Sequence, residues 1–275
     1  MTERLTTLAA VKDWLEIDQS QVSSGDAGLI RVIDAASQFI LNWLSRESFQ
    51  LRSYTDNFRG NGKTRQILRN WPVVSITSVG TAGNLISAST PGVAGMPGPG
   101  YVLSDARNSP QSVELYGGYY FYYNLPSQVV YTAGYQTTQL TTLVKIVDDE
   151  GTDTIQPFSP NQLGQWTLNV SVTLNGAPAV LVTEDPTAGQ YTVDEWGTYG
   201  FAVVDEGKEA AITYCYAPWD ISFAATQLVG EWYKSKERIG LLSKTLGGQE
   251  TITFSVKDMS DMIRSQLQPY QDVLP

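Results

Sequence analysis

The hydrophobic positions of this chain change period twice. Near the start, Leu8, Val11, Trp14 and Leu15 recur at helical spacing behind Thr6 and Thr7, either of which can cap a short helix running to about Ile17. The stretch "SSGDAGLIRVIDAASQFILNWLSRESF" carries the clearest helical stripe: Leu29, Ile33, Ala36, Ile40 and Trp43 or Leu44, with Asp26 as cap and an end near Arg46. From about Leu51 to Tyr216 the period becomes two, and Gly and Pro punctuate it at short intervals, which predicts strands and turns. Helical spacing returns in "PWDISFAATQLVGEWYKSKERIG". Pro218 and Asp220 mark its start, Ile221, Ala225, Leu228 or Val229, Trp232 and Tyr233 its apolar face, and Gly240 its stop. The remainder predicts an extended arm, "LLSKTLGGQETITFSV", hinged at Gly247 and Gly248, and then a short helix capped by Ser260 with a Pro-broken tail.

These elements predict an α+β fold. A small helical bundle drawn from both chain ends, residues 1–50 and 218–242, encloses β-rich insertion modules at 51–135 and 136–217, and an extended C-terminal arm and tail follows at 243–275. Helices this short cannot bury their stripes alone, so the two ends are expected to pack on one another. The β region reads as a loose internal repeat. "VSITSV", "GYVLSD", "LYGGYYFYY" and "VVYTAGY" are followed in the same order by "NVSVTLNG", "GQYTVDE", "EWGTYGFAV" and "ITYCYAP", making residues 73–135 and 170–217 two modules of similar build. Chance likeness among tyrosine-rich strands is the competing explanation. Between the modules "KIVDDEGTDTIQPF" predicts a hairpin turning at Asp149-Glu150-Gly151, and residues 87–100 form a small-residue loop.

Composition removes function classes. The chain has 275 residues, 42% of them hydrophobic, enough for a sizeable core. Its net charge of -10 argues against a basic face that wraps duplex DNA. It contains no histidine, which removes Ser-His-Asp and Cys-His catalysis and the commonest transition-metal ligand. A lone Cys215 permits no internal disulfide and fits folding in a cytoplasm. No apolar run of about 18 residues predicts a membrane span, and the N-terminus lacks the order of a signal peptide.

Candidate chemistry is thin. "GNGKT" at Gly60–Thr64 ends like a phosphate-binding loop, but Asn57 stands where such a loop needs glycine, and no buried strand or following helix flanks it. Asn61-Gly62 instead predicts a hairpin turn. Asp148-Asp149-Glu150 and Asp205-Glu206-Gly207 lack the alternating spacing of a calcium loop and read as turns. Asp194-Glu195 has no visible partner. Ser235 lies between Lys234 and Lys236 on a polar helix face, and Cys215 lies mid-strand with nothing to activate it. "LYGGYYFYYNLP" could stack on sugars or bases, but no basic groove accompanies it in sequence, so burial in a core or against another subunit is the simpler reading. No catalytic residue, cofactor site or metal site is expected.

The order of six segments resembles the head–tail connector (adaptor) proteins of tailed bacteriophages: "LTTLAAVKDWLEID", "LIRVIDAASQFILNWLSR", "GNGKTRQILRNWPVVSITSV", "VVYTAGY", "DISFAATQLVGEWYKSKERIG" and "GGQETITFS". The likeness covers about residues 5–135 and 218–271. In compact members of that family the Tyr-x-x-Gly-Tyr strand leads almost directly into the aspartate-capped helix; here residues 136–217 intervene and end in "ITYCYAPWDI", which restates that junction.

The resemblance implies a non-enzymatic virion protein, made in the host cytoplasm and located in the neck at the portal vertex. It implies a ring of about twelve copies seated on the portal protein and receiving tail or nozzle and stopper proteins. DNA would cross its lumen without sequence-specific binding, and an acidic wall would repel the duplex rather than hold it. Portal docking would fall to the C-terminal segment, whose apolar anchors are Met259, Met262, Ile263, Leu267 and Tyr270; folding of that segment onto its own bundle is the other possibility. A carbohydrate-binding or adhesive β-rich phage structural protein is the alternative, with the tyrosine strands and the insert as its binding surface.

Overall fold

A computed structural model describes residues 3–17, 26–90, 96–104, 110–147, 152–235, 243–246, 250–253 and 259–271. The chain divides into two compact units, one of Met1–Glu47 with Thr137–Gln271 and one centred on Ser48–Gln136. It is an α+β protein.

In the first unit, helix α1 spans Leu8–Trp14 and α2 spans Asp26–Trp43. The Thr7 hydroxyl accepts the Ala10 N–H at 3.1 Å, satisfying one of the donors that every helix start leaves over. Trp14, expected on the apolar face, is instead exposed and meets Phe223 edge-on at 5.4 Å. Asp26 is the first residue of α2, and its carboxylate takes the Lys12 ammonium at 2.9 Å; the cap position before it lies outside the described residues. Leu29, Ile33, Ala36, Ile40 and Leu44 are buried, as the stripe predicts. Helix α3, Trp219–Ser235, buries Ile221, Ala224, Ala225, Leu228 and Val229 and packs against α1, α2 and the last helix, α4, Asp261–Leu267. Ser260 occupies the N-cap of α4, but its hydroxyl makes no capping bond. Gly240, the expected stop of α3, and the hinge Gly247-Gly248 lie outside the described residues. Around that hinge, strands β17 (Ser243–Leu246) and β18 (Glu250–Thr253) pair antiparallel.

Strands in the second unit are β1 (Arg52–Arg59), β2 (Arg65–Ile67), β3 (Val73–Thr81), β4 (Asn84–Ile86), β5 (Gly100–Leu103), β6 (Ser112–Tyr116) and β7 (Pro126–Ala133). They form one sheet of order β1-β7-β3-β4 and a second of order β2-β6-β5. Back in the first unit come β8 (Gln136–Thr142), β9 (Lys145–Val147), β10 (Asp153–Ile155), β11 (Gly164–Leu174), β12 (Ala177–Pro178), β13 (Val180–Leu181), β14 (Gln190–Val193), β15 (Tyr199–Phe201) and β16 (Glu209–Pro218). Their sheets run β12-β11-β16-β8 and β13-β14-β15. Strands β9 and β10 pair antiparallel, although residues 148–151 between them lie outside the described residues.

The two β assemblies share one plan. Read in the same direction, β8-β16-β11-β12 matches β1-β7-β3-β4 strand for strand. The central pairs β3/β7 and β11/β16 each carry two register shifts, at Val73/Ser75 and Ile76/Ser78 in one and at Trp166/Leu168 and Asn169/Ser171 in the other. Each first strand then turns through two left-handed residues, Ala82-Gly83 or Asn175-Gly176, the conformation that a tight right-twisted hairpin needs. In the smaller sheets a parallel pairing precedes an antiparallel one: Ala88 beside Tyr101 of β5, and Leu181 beside Tyr191 of β14. Aligned this way, the second module begins at β8 rather than at residue 170. Its third strand is Tyr199–Phe201, which occupies the place in the plan that Val113–Leu115 of β6 holds in the first module, and the tyrosine run has no counterpart strand there.

Tyr131 in β7 and Tyr214 in β16 occupy equivalent places, opposite Ile76 and Asn169, and both are fully buried. Each phenol oxygen accepts a backbone N–H at 3.0 Å, from Asn70 and from Gln162. Tyr131 also donates to Asp56 at 3.0 Å. Tyr199 donates to Asn169 at 2.9 Å and accepts the Trp166 indole N–H at 3.1 Å.

Burial pushes the phenols of Tyr131 and Tyr199 well above their ordinary value of 10.0. The folded state therefore keeps protons that the unfolded chain releases near pH 10, so stability is full below that pH and falls as pH rises through it. Thermal melts followed by circular dichroism from about pH 8 to about pH 11 should show this decline, and Tyr131→Phe should make it shallower.

Candidate functional site

Asn61-Gly62 does not close a β1–β2 hairpin, contrary to the dipeptide signal. Strand β1 pairs with β7 and β2 pairs with β6, so residues 60–64 hand the chain from one sheet to the other. The Asn61 side chain accepts the Lys63 N–H at 2.8 Å, and Gly62 sits at φ 75°. The backbone groups that a hairpin would have satisfied go to residues 121–125 instead. Gly60 N–H reaches Leu125 O at 2.9 Å, Gly62 N–H reaches Phe121 O at 2.8 Å, and Phe121 N–H reaches Lys63 O at 2.9 Å. Gly60 is buried, and a Cβ there would sit 2.2 Å from Tyr122 O, so the close approach of the two segments needs glycine. Gly60→Ala should therefore cost about 1–3 kcal/mol and loosen both segments, read as a lowered melting temperature and new protease cleavage within 117–125.

This interlock builds a rigid tip. Phe121 is fully buried and packs edge-on against Phe58 at 5.4 Å. Around this anchor Tyr119, Tyr120, Tyr122 and Tyr123 are exposed, Tyr123 at 80%. The tyrosine run is thus neither strand nor core; β6 ends at Tyr116 and residues 117–120 continue outside any strand. The basic residues that the sequence places elsewhere are brought here. Arg59 donates to Asn124 at 3.0 Å, Lys63 lies in the interlocked turn, and Arg65 bonds Ser112 beside Glu114. No local sequence signal joins these segments, because the linking bonds are backbone bonds between residues about sixty positions apart. Charge is segregated with them. Residues 48–136 hold six of the 18 Lys and Arg and three of the 28 Asp and Glu, a net +3 that leaves −13 for the rest of the chain.

A second feature lies wholly within the first unit. A cleft of about 540 Å³ is lined by Trp166, Trp196 and Trp219 together with Ala9, Asn161 and Asp194. The volume falls in the range of ligand-sized clefts. Gly197, at φ 87°, lies flat on the Trp166 indole, where a Cβ would come within 2.4 Å. One Asp194 oxygen accepts the N–H groups of Trp196 and Thr198, each at 2.8 Å, which fixes that loop. The Arg4 guanidinium stands 4.8 Å from the Trp196 ring and bonds Asp34 at 2.7 Å and Glu195 at 2.9 Å. Glu195 thus has a partner that the sequence did not reveal.

The C-terminal anchors are divided. Met259, Ile263 and Leu267 are buried in their own unit, where α4 packs on α3. The Tyr270 hydroxyl bonds the Asp220 carboxylate at 2.7 Å, and its carbonyl accepts from Arg46 at 2.8 Å. Met262 alone of the five is largely exposed, at 59%. Fold-back of this segment onto the helices is therefore what the structure describes.

The remaining candidates are structural. Asp205 is buried and held by Lys208 at 2.7 Å and the Gly189 N–H at 2.9 Å, and Gly207 makes the turn at φ 76°. Asp148-Asp149-Glu150 lies outside the described residues. Cys215 is buried in β16, and Ser235 donates to the Trp232 carbonyl at 2.8 Å. Among the described residues no cluster of three His, Cys, Asp or Glu could hold a metal, and no helix is long and apolar enough to cross a membrane.

No family model matches the chain, and no curated protein matches it. Among solved structures, part of it is similar to a chain in the virion of a native gene transfer agent particle, with TM-score 0.31 and 18% identity over 48% of this chain and 66% of that one. It is similar in the same measure to a chain in the neck of an empty gene transfer agent particle, with TM-score 0.30 and 17% identity over 48% and 66%. In both, the match spans just under two thirds of the other chain's length.

Proposed function

We propose that this chain is an adaptor subunit of a tailed-phage neck, forming a ring between the portal and the tail of the virion. It closes the DNA-filled head and conducts the DNA without reading its sequence. The observation that carries the reading is the ordered set of adaptor-like segments. "LTTLAAVKDWLEID" and "LIRVIDAASQFILNWLSR" fall on α1 and α2, "VVYTAGY" on β7 and "DISFAATQLVGEWYKSKERIG" on α3, and these helices from both chain ends pack together. Portal contact is assigned to the outer side of α4. Met259, Ile263 and Leu267 hold that helix in place, Tyr270 ties its end to Asp220, and Met262 remains free to enter a partner's apolar pocket.

Native mass measurement of the purified chain mixed with isolated portal rings tests this. A stoichiometric ring on the portal is expected, and Met262→Asp should weaken it at least about tenfold without changing the melting temperature, since the side chain is exposed. Absence of any complex with the wild-type chain would refute the reading. The exposed Tyr120 and Tyr122 favour one second reading, a glycan-binding or adhesive virion protein. Glycan-array binding lost in both Tyr120→Ala and Tyr122→Ala would support it.

A further inference from the structure

We infer that the tyrosine tip of one copy docks in the tryptophan cleft of a second copy. The inference rests on the ring reading above and names the surfaces by which the ring would close. The tip has the properties of an interaction hot spot. Four exposed tyrosines fall within residues 119–123, and the loop is ordered in advance by buried Phe121 and its backbone bonds to residues 60–63, so little ordering entropy is lost on binding. Arginine and tyrosine are the residue types that interfaces favour, and Arg59 and Lys63 flank the aromatics.

The same chain carries a matching receptor. Trp166, Trp196 and Trp219 offer aromatic surface in a cleft large enough for one or two tyrosine side chains, and its charged lining groups, Asp194 and the Lys12–Asp26 ion pair, sum to −1. Trp219 is 49% exposed, so part of its indole is open to an incoming side chain. The charges also choose the occupant. The tip belongs to the +3 segment and the cleft to the −13 remainder, so unlike surfaces of two copies attract while like surfaces repel. A tip on one copy and a cleft on the next is a heterologous contact, the kind that repeats head to tail and closes a ring when the rotation allows.

The native chain provides a clean background for a cysteine trap, because its single Cys215 is buried. Tyr123→Cys at the tip and Ala9→Cys at the exposed edge of the cleft are made in separate copies, mixed and oxidised. Docking raises the local concentration of the two thiols, so the mixed disulfide dimer should exceed that formed by Leu85→Cys with Ala9→Cys at least about tenfold. Leu85 is also highly exposed in the second unit, at 82%, but lies on β4. Lys63→Glu in the tip copy should lower the yield, as should raising the salt from about 0.01 M to about 1 M, where screening acts within a few ångströms.

Equal yields from the Tyr123→Cys and Leu85→Cys copies would overturn the docking mode. So would a yield indifferent to both Lys63→Glu and salt. The two readings fail separately. A ring on the portal that forms without the tip–cleft disulfide leaves the adaptor reading standing, whereas a tip–cleft disulfide without portal association leaves only the contact.

Discussion

Tyr131→Ala should lower the stability of the protein by about 3–5 kcal/mol, with loss of the bond to the Asn70 N–H adding to the cavity left behind. Tyr131 is fully buried at the centre of the β1-β7-β3-β4 sheet, and its ring lies 5.8 Å from that of Tyr54. Removing the ring leaves a void among Val79, Val113 and Val129 and strips the acceptor from the N–H just before the Trp71-Pro72 corner. A single domain is stable by only about 5–15 kcal/mol in total, so much of the folded population of this unit should be lost under mild denaturant. Tyr131→Phe keeps the ring and gives up only the hydroxyl, and should cost about 1–3 kcal/mol. Urea unfolding followed by circular dichroism separates the two. Tyr214→Ala should behave like Tyr131→Ala, because the second module repeats the geometry with Gln162 as donor. Similar losses in the Ala and Phe variants would show that packing around the ring contributes little.

Phe121→Ala should cost a further large amount, about 3–5 kcal/mol, and should also release the tip. Phe121 is the one aromatic of residues 119–123 that is buried, and it fixes the others through its packing on Phe58 and its backbone bonds to Gly62 and Lys63. The exposed tyrosines then have no rigid base. Protease cleavage within 117–125 and loss of the tip–cleft disulfide are the expected readouts. Tyr120→Ser added to the Tyr123→Cys copy, at an exposed side chain, should change stability by less than about 0.5 kcal/mol and still reduce the disulfide. A Phe121→Ala variant that keeps its melting temperature would mean the loop is held by its backbone bonds alone.

How legible this structure is in its sequence depends on how local each signal is. The stripes of α2 and α3 are written at helical spacing; the α2 stripe is buried, and in α3 Ile221, Ala225, Leu228 and Val229 are buried while Trp232 and Tyr233 are only half-buried. The repeat of the β modules is visible as an order of strands, but its frame is not. The tyrosine run, which resembles "TYGF" in sequence, is a loop, and the segment equivalent to Tyr199–Phe201 in the first module is Val113–Leu115, which carries no tyrosine. Asn61-Gly62 carries a hairpin signal that long-range pairing overrides, because residues 121–125 supply the hydrogen-bond partners that a hairpin strand would have given. The tip escaped sequence reading for the same reason: its aromatics and its basic residues are far apart in the chain and joined by bonds that no periodicity records. Of the five apolar anchors read around α4, Met259, Ile263 and Leu267 are buried and Met262 is exposed, and spacing does not say whether such residues are covered by their own chain or by a partner.

The central claim is that the chain joins the portal vertex. DNA-filled, tailless heads incubated with the purified chain and imaged by electron microscopy test it most directly. One added ring per head is expected, at the portal vertex alone, lost with Met262→Asp. Heads that stay bare, or that bind the chain over the capsid surface, would contradict it.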